Sequence, residues 1–168
     1  TDSAGVDVSG RVFRLRLNYR TTEQIRSAAE AMLGSGGERS RSLLSGPPPI
    51  CRGFDSQAAE AEAVGQQVQA WKAAGLDFGD IGILCRSQGR SKALLRHLEA
   101  AGLKTQPLAT EERGAVRVGT LHGAKGLEFK AAVVLGCEDR TIPNGYVLDL
   151  HTDPRDREDV LERERHLL

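Results

Sequence analysis

Apolar positions along the chain recur with two spacings, and Gly, Pro, Ser and Asp mark the breaks between them. Residues 1–10 are small and polar and form a lead-in. Val12, Leu15 and Leu17 fall in a short apolar-rich run that predicts a strand. Thr21 with Gln24 three residues later matches a capping box and predicts a helix to about Leu33. The Gly-, Ser- and Pro-rich stretch from Gly34 to Pro49 predicts an exposed loop. Ile50–Phe54 predicts a second strand. Asp55 or Ser56 then caps a long helix ending near Gly75, with Ala61, Val64, Val68 and Trp71 at helical spacing.

Further on, Asp80–Arg86 predicts a buried strand. Ser91–Ala101 predicts an amphipathic helix with Leu94, Leu95 and Leu98 inward, and Leu103–Leu108 a short strand. Val116–Leu121 and Ala131–Gly136 are two more predicted strands. The second is almost wholly apolar, as expected of a central parallel strand. Glu158–Leu168 predicts a charged helix, and Arg155, Arg157, Arg163 and Arg165, alternating with Asp and Glu, predict a solvated helix face. Strands alternating with helices imply an α/β fold with a mostly parallel sheet covered by helices on both faces.

Composition narrows this picture. A chain of 168 residues fits one domain that can bury a core without disulfides or metals. Lys+Arg and Asp+Glu balance at 23 each, so any nucleic-acid binding must come from a local patch. Cys51, Cys85 and Cys137 lie far apart, which excludes CxxC motifs and suits a reducing cytoplasm. His97 and His151 have no second ligand at a metal spacing, so no metal site is expected. No run approaches the roughly 18 apolar residues of a membrane span, and no signal peptide stands at Thr1. The first residue is not Met and the last residues fall inside a predicted helix, as expected of a piece of a longer protein.

Two segments carry candidate chemistry. Leu17-Asn18-Tyr19-Arg20-Thr21-Thr22 lies between the first predicted strand and helix, where open α/β sheets bind ligands. The Tyr19 ring can stack on a base and the Arg20 guanidinium can grip a phosphate. The plain alternative is a half-buried packing Tyr and an Arg paired with a carboxylate. The second segment, Thr120-Leu121-His122-Gly123-Ala124-Lys125-Gly126-Leu127-Glu128-Phe129, connects two predicted strands. Gly123 and Gly126 allow close backbone approach and positive φ. Thr120, His122 and Lys125 suit a polyanion, and Glu128 could accept a hydrogen bond from a ribose hydroxyl. The plain alternative is a Gly-rich turn with a solvated Lys.

Together the two segments resemble superfamily 1 helicases of the UvrD/Rep/PcrA kind. LRLNYRTTEQI resembles their motif IV, and VRVGTLHGAKGLEFKAAVVLGCEDRTIPN their motif V and the run after it. DIGILCR resembles the strand unit between these motifs, and LERERHLL the helix leading into motif VI, so the resemblance spans about residues 12–168. It implies a three-layer, RecA-like fold: a second RecA-like domain over residues 11–168 that completes an ATP–Mg2+ cleft with a first RecA-like domain of the same full-length chain. Tyr19 would stack on adenine, and Arg20 would contact the γ-phosphate as the catalytic cation. Gly126 and Glu128 would face the nucleotide, and Thr120, His122 and Lys125 would lie on the side of single-stranded DNA, with RNA not excluded.

The sequence departs from the family at three points. It has no GxxxxGK[ST] phosphate loop, which the family keeps on the first domain. Glu138 and Asp139, after an apolar run, look like Walker-B acids but have no phosphate loop to serve. The chain stops where motif VI would begin, and the short Leu108–Val116 interval leaves no room for the accessory domain of many relatives. The implied function is the C-terminal motor half of an ATP-dependent DNA helicase or translocase. The alternative is a catalytically silent nucleic-acid-binding or interaction domain derived from one.

Overall fold

The computed structural model describes residues 17–33, 41–110 and 112–165. They fall into two compact units, divided after Ile50.

In the first unit, β1 (Leu17–Thr22) runs parallel to β2 (Arg41–Leu44), and α1 (Glu23–Leu33) follows β1 directly. Residues 12–16 of the predicted strand lie outside the described residues. The strand continues through Thr22, so Tyr19 and Arg20 stand inside it and not in a connection after it. The capping box does not form. Thr22 Oγ1 caps α1 by accepting from Ile25 N at 3.4 Å. Thr21 Oγ1 instead accepts from Asn18 Nδ2 at 2.6 Å, while Gln24 reaches Gly46 N at 2.9 Å and Ser45 Oγ at 3.2 Å. Strand β2 lies inside the predicted loop. Four residues show no alternation to read, and the strand is held by polar contacts: Ser42 N donates to Glu23 Oε2 at 2.9 Å. The Ile50–Phe54 strand does not form. Ile50 is 74% exposed, and among the described residues no strand pairs with this segment.

The second unit is an α/β layer structure. Helix α2 (Gln57–Ala73) is capped by Ser56, whose Oγ accepts from Ala59 N at 3.1 Å, and it ends at Gly75, which adopts φ +98°. Strand β3 (Ile81–Cys85), α3 (Gln88–Ala100), β4 (Thr105–Pro107), β5 (Val116–Thr120) and β6 (Ala131–Leu135) follow, then α4 (Gly145–Leu150) and α5 (Pro154–Arg165). The four strands form one parallel sheet in the order β4-β5-β3-β6. Helix α3 starts before its predicted Ser91 because Ser87 caps it, accepting from Arg90 N at 3.3 Å. Among the described residues β6 is an edge strand and not a central one. Ala132 and Val134 are exposed, and the fully buried strand is β3.

Side-chain alternation splits the core in two. Ile81, Ile83, Cys85, Val116 and Val118 face α2 and α3, where they meet Val64, Val68, Leu94 and Leu98. Each such side chain removed from water contributes about 1.5–3 kcal/mol. On the other side, Leu84 packs with Leu108, Leu121 and Ile142, and with the partly buried Ala124, Leu127 and Phe129. The segment that carries the candidate chemistry therefore also covers this side of the sheet. Helix α4, absent from the sequence reading, is capped by Asn144 Oδ1, which accepts from Tyr146 N at 3.0 Å. Arg155, Arg157 and Arg163 of α5 are exposed, as expected. Among the described residues no helix is long and apolar enough to cross a membrane.

Candidate functional site

Strand β5 ends at Thr120, opposite Cys85 of β3. Leu121 N donates to Cys85 O at 2.9 Å and carries the ladder one residue further. The chain then closes a single 3-10 turn, His122–Ala124. Thr120 Oγ1 accepts from Gly123 N at 3.1 Å, so the hydroxyl oxygen fixes the turn while its proton remains available as a donor. Leu127 N donates to Ala124 O at 3.0 Å, and Gly126 adopts φ +85° with open space where a Cβ would stand. The backbone angle, not crowding, requires glycine here.

This geometry sorts the segment by polarity. Leu121 is buried, and Ala124, Leu127 and Phe129 are partly buried against the sheet. His122, Lys125, Gly126 and Glu128 are exposed. The turn is therefore anchored from below while its polar groups face solvent. The anchor is tight at two glycines. A Cβ on Gly82 would lie 2.7 Å from the Phe129 ring, and one on Gly119 would lie 2.6 Å from Leu108 Cδ1. Lys130 closes the segment, with its N donating to Asp80 O at 2.9 Å and its Nζ to Asp80 Oδ2 at 2.7 Å.

Beside the turn stands an ion pair. Arg86, just past β3, donates from Nε to Glu164 Oε2 at 2.8 Å and from Nη2 to Oε1 at 2.6 Å. Glu164 Oε2 also accepts from Asn144 N at 3.1 Å. The side chains are only 15% and 8% exposed. The Arg86 hydrogen bonds hold the Glu164 carboxyl below its ordinary range against the opposing effect of burial, with smaller help from the Asn144 N–H and from nearby His122. The Arg86 guanidinium is correspondingly shifted up. On the α2–α3 side, Glu60 pairs with Arg90 and accepts from Gly136 N at 3.1 Å, tying both helices to the end of β6. Burial raises the Cys85 thiol, which is fully enclosed and packs as a core residue.

The structure thus gathers Thr120, His122, Lys125, Gly126 and Glu128 on one turn. Tyr19 and Arg20 belong to the first unit. Tyr19 is 64% exposed. Arg20 is exposed, and its backbone N donates to Asn18 Oδ1 at 2.8 Å. Among the described residues no group of three His, Cys, Asp or Glu side chains is arranged for a metal. Sequence reading missed Arg86, Glu164 and Arg117. Arg86 and Glu164 are 78 positions apart, and no local pattern joins them. Arg117 interrupts the apolar run Val116–Val118. That interruption is a readable sign of a buried cation.

With the geometry in place, two comparisons bear on identity. A family model described as the UvrD-like helicase C-terminal domain matches residues 13–112 and 99–168. A protein of Bacillus subtilis (strain 168) named "Putative ATP-dependent DNA helicase YjcD" is 46% identical over 59 residues. That stretch is 35% of this chain and spans only 7% of the relative's length. Matches that cover nearly the whole sequence and the α/β architecture agree: the chain belongs to the family of UvrD-like helicase C-terminal domains.

Proposed function

We propose that this chain is the C-terminal motor half of an ATP-dependent DNA helicase or translocase, working with a first RecA-like domain of the same full-length protein. The observation that carries the reading is the turn after β5, in a domain of this family: a sheet-anchored segment whose His122, Lys125, Gly126 and Glu128 all face solvent.

In this reading Thr120 donates its free hydroxyl proton, and His122 and Lys125 their N–H groups, to phosphate oxygens of a single strand. Such contacts position the strand without reading its sequence. Gly126 leaves room for close approach of a nucleotide, and Glu128 accepts from a ribose hydroxyl. The exposed Tyr19 ring offers a face for adenine, and Arg20 supplies a cation to the γ-phosphate. The triphosphate would enter as its magnesium complex, completed by the first RecA-like domain. The chemistry such an ion would supply is neutralisation of phosphate charge. The free thiols Cys51, Cys85 and Cys137 fit a cytoplasmic protein.

The test uses the full-length protein. His122→Ala weakens single-strand affinity by a similar factor for mixed-sequence and homopolymer oligonucleotides, and lowers DNA-stimulated ATP hydrolysis more than basal hydrolysis. Lys125→Ala in addition reduces the salt slope of binding by about one. Fluorescence anisotropy over a salt series, beside a phosphate-release assay, reads both. Unchanged DNA affinity in both variants contradicts the assignment of the strand side.

A further inference from the structure

Arg117 stands on β5 between Val116 and Val118 and is only 4% exposed. Strand alternation turns it to the side of the sheet covered by the candidate turn. A guanidinium so placed must find acceptors or lose its hydration for nothing. Its Nε donates to Leu108 O at 2.8 Å, and its Nη2 donates to the same oxygen. Its Nη1 reaches Glu128 O at 3.5 Å, and the guanidinium carbon lies 4.7 Å from the centroid of the Phe129 ring. One side chain thus holds the start of the β4–β5 connection and the Glu128–Phe129 end of the turn.

Both things it holds have further anchors. The β4–β5 connection is tied to Gln106, whose Nε2 donates to Glu112 O and Ala115 O, each at 2.8 Å, and to Asp77, which accepts from Gly114 N at 3.2 Å. Phe129 lies against Gly82 with no room for a Cβ between them. The Glu128 side chain leaves a backbone whose neighbours Leu127 and Phe129 are both packed down. Where that carboxylate points is therefore set by groups that Arg117 touches. An aliphatic residue would fill the strand position and leave Leu108 O and Glu128 O without this donor.

We infer that Arg117 is a positioning residue for Glu128, and that it links the β4–β5 connection to ribose recognition. The inference rests on the proposed role of Glu128 as ribose acceptor. The probes are ATP, 2′-deoxy-ATP and 3′-deoxy-ATP, and the readout is the ratio of kcat/KM values in the full-length protein. The parental enzyme prefers ATP over the analogue lacking the contacted hydroxyl by about tenfold or more, the order expected of one charge-assisted hydrogen bond. Glu128→Ala removes the preference. Arg117→Met reduces it to about threefold or less, and Arg117→Lys gives an intermediate ratio, because a lysine keeps the charge without the planar fork. Should Arg117→Met not fold, Arg117→Lys decides. If Glu128→Ala flattens the ratio while folded Arg117 variants keep it and only melt earlier, Arg117 is a structural residue and the inference is overturned. If Glu128→Ala itself leaves the ratio unchanged, the ribose role of Glu128 falls and the inference falls with it.

Discussion

Replacing Glu164 tests how α5 is fastened to the sheet. The pair is bidentate, with contacts of 2.6 and 2.8 Å, and Glu164 Oε2 also accepts from Asn144 N. Removing one partner of a buried pair costs about 3–5 kcal/mol, because the other charge is left uncompensated. Arg86 keeps 15% of its side-chain surface in water, which moves the expectation for Glu164→Ala to the low end, about 3 kcal/mol. Arg86→Met leaves a carboxylate only 8% exposed without its main partner and costs about the same. The double variant Arg86→Met/Glu164→Leu removes both charges and fills the volume, so it stays within about 1 kcal/mol of the parent. The cycle then gives a coupling of several kcal/mol, at or above the upper end of about 0.5–3 kcal/mol usual for residues in contact. Urea unfolding of the chain, followed by circular dichroism at neutral pH, measures all four proteins. Additive losses, with coupling below about 0.5 kcal/mol, would refute the account of α5 as held by this pair.

Three further outcomes follow from the same geometry. The Glu164 carboxyl is lowered in the fold, so its contribution is complete above its unfolded pKa of about 4.3 and is lost as pH falls through the lower folded value. The stability gap between parent and Glu164→Gln therefore stays level from pH 8 to about 5.5 and narrows in more acid solution; a gap independent of pH speaks against the shift. Gly82→Ala drives a Cβ to 2.7 Å from the Phe129 ring and lowers stability by about 1–3 kcal/mol, with partial recovery in Gly82→Ala/Phe129→Leu; a neutral Gly82→Ala in thermal melts contradicts the packing. Tyr19→Ala in the full-length protein raises KM for ATP more than it lowers kcat, by the equivalent of about 1–3 kcal/mol for a lost stacking ring; an unchanged KM with a lower Tm returns Tyr19 to a packing role.

The second unit was legible because its signals are local. Ile81–Cys85 is an unbroken apolar run, Ser56 stands before a helix with Ala61, Val64 and Val68 on one face, and Gly75 ends it. The turn after β5 was readable as a candidate site because Thr120, His122, Lys125 and Glu128 are contiguous in sequence. What escaped depends on distant partners. Strand β2 exists through Ser42 and Glu23 contacts, 19 positions apart, and not through any alternation of its own. Thr21 lost the capping role to Thr22 because Asn18 claims its hydroxyl. The apolar run of β6 suggested a central strand, yet among the described residues the sheet ends there. The Arg86–Glu164 pair joins residues 78 positions apart, and composition gives no hint of it.

The central claim is that this domain supplies part of an ATP-hydrolysing, strand-stimulated motor. Steady-state ATP turnover by the full-length protein, with and without single-stranded DNA, in parent and Arg20→Ala, tests it most directly. A single donor aimed at developing phosphate charge is worth about 2.7–4 kcal/mol. The account predicts turnover that rises with single-stranded DNA in the parent and falls by about 10²–10³ in Arg20→Ala, while nucleotide binding stays near the parental level. Turnover in the parent that ignores DNA, or an Arg20→Ala protein hydrolysing ATP at the parental rate, would contradict it.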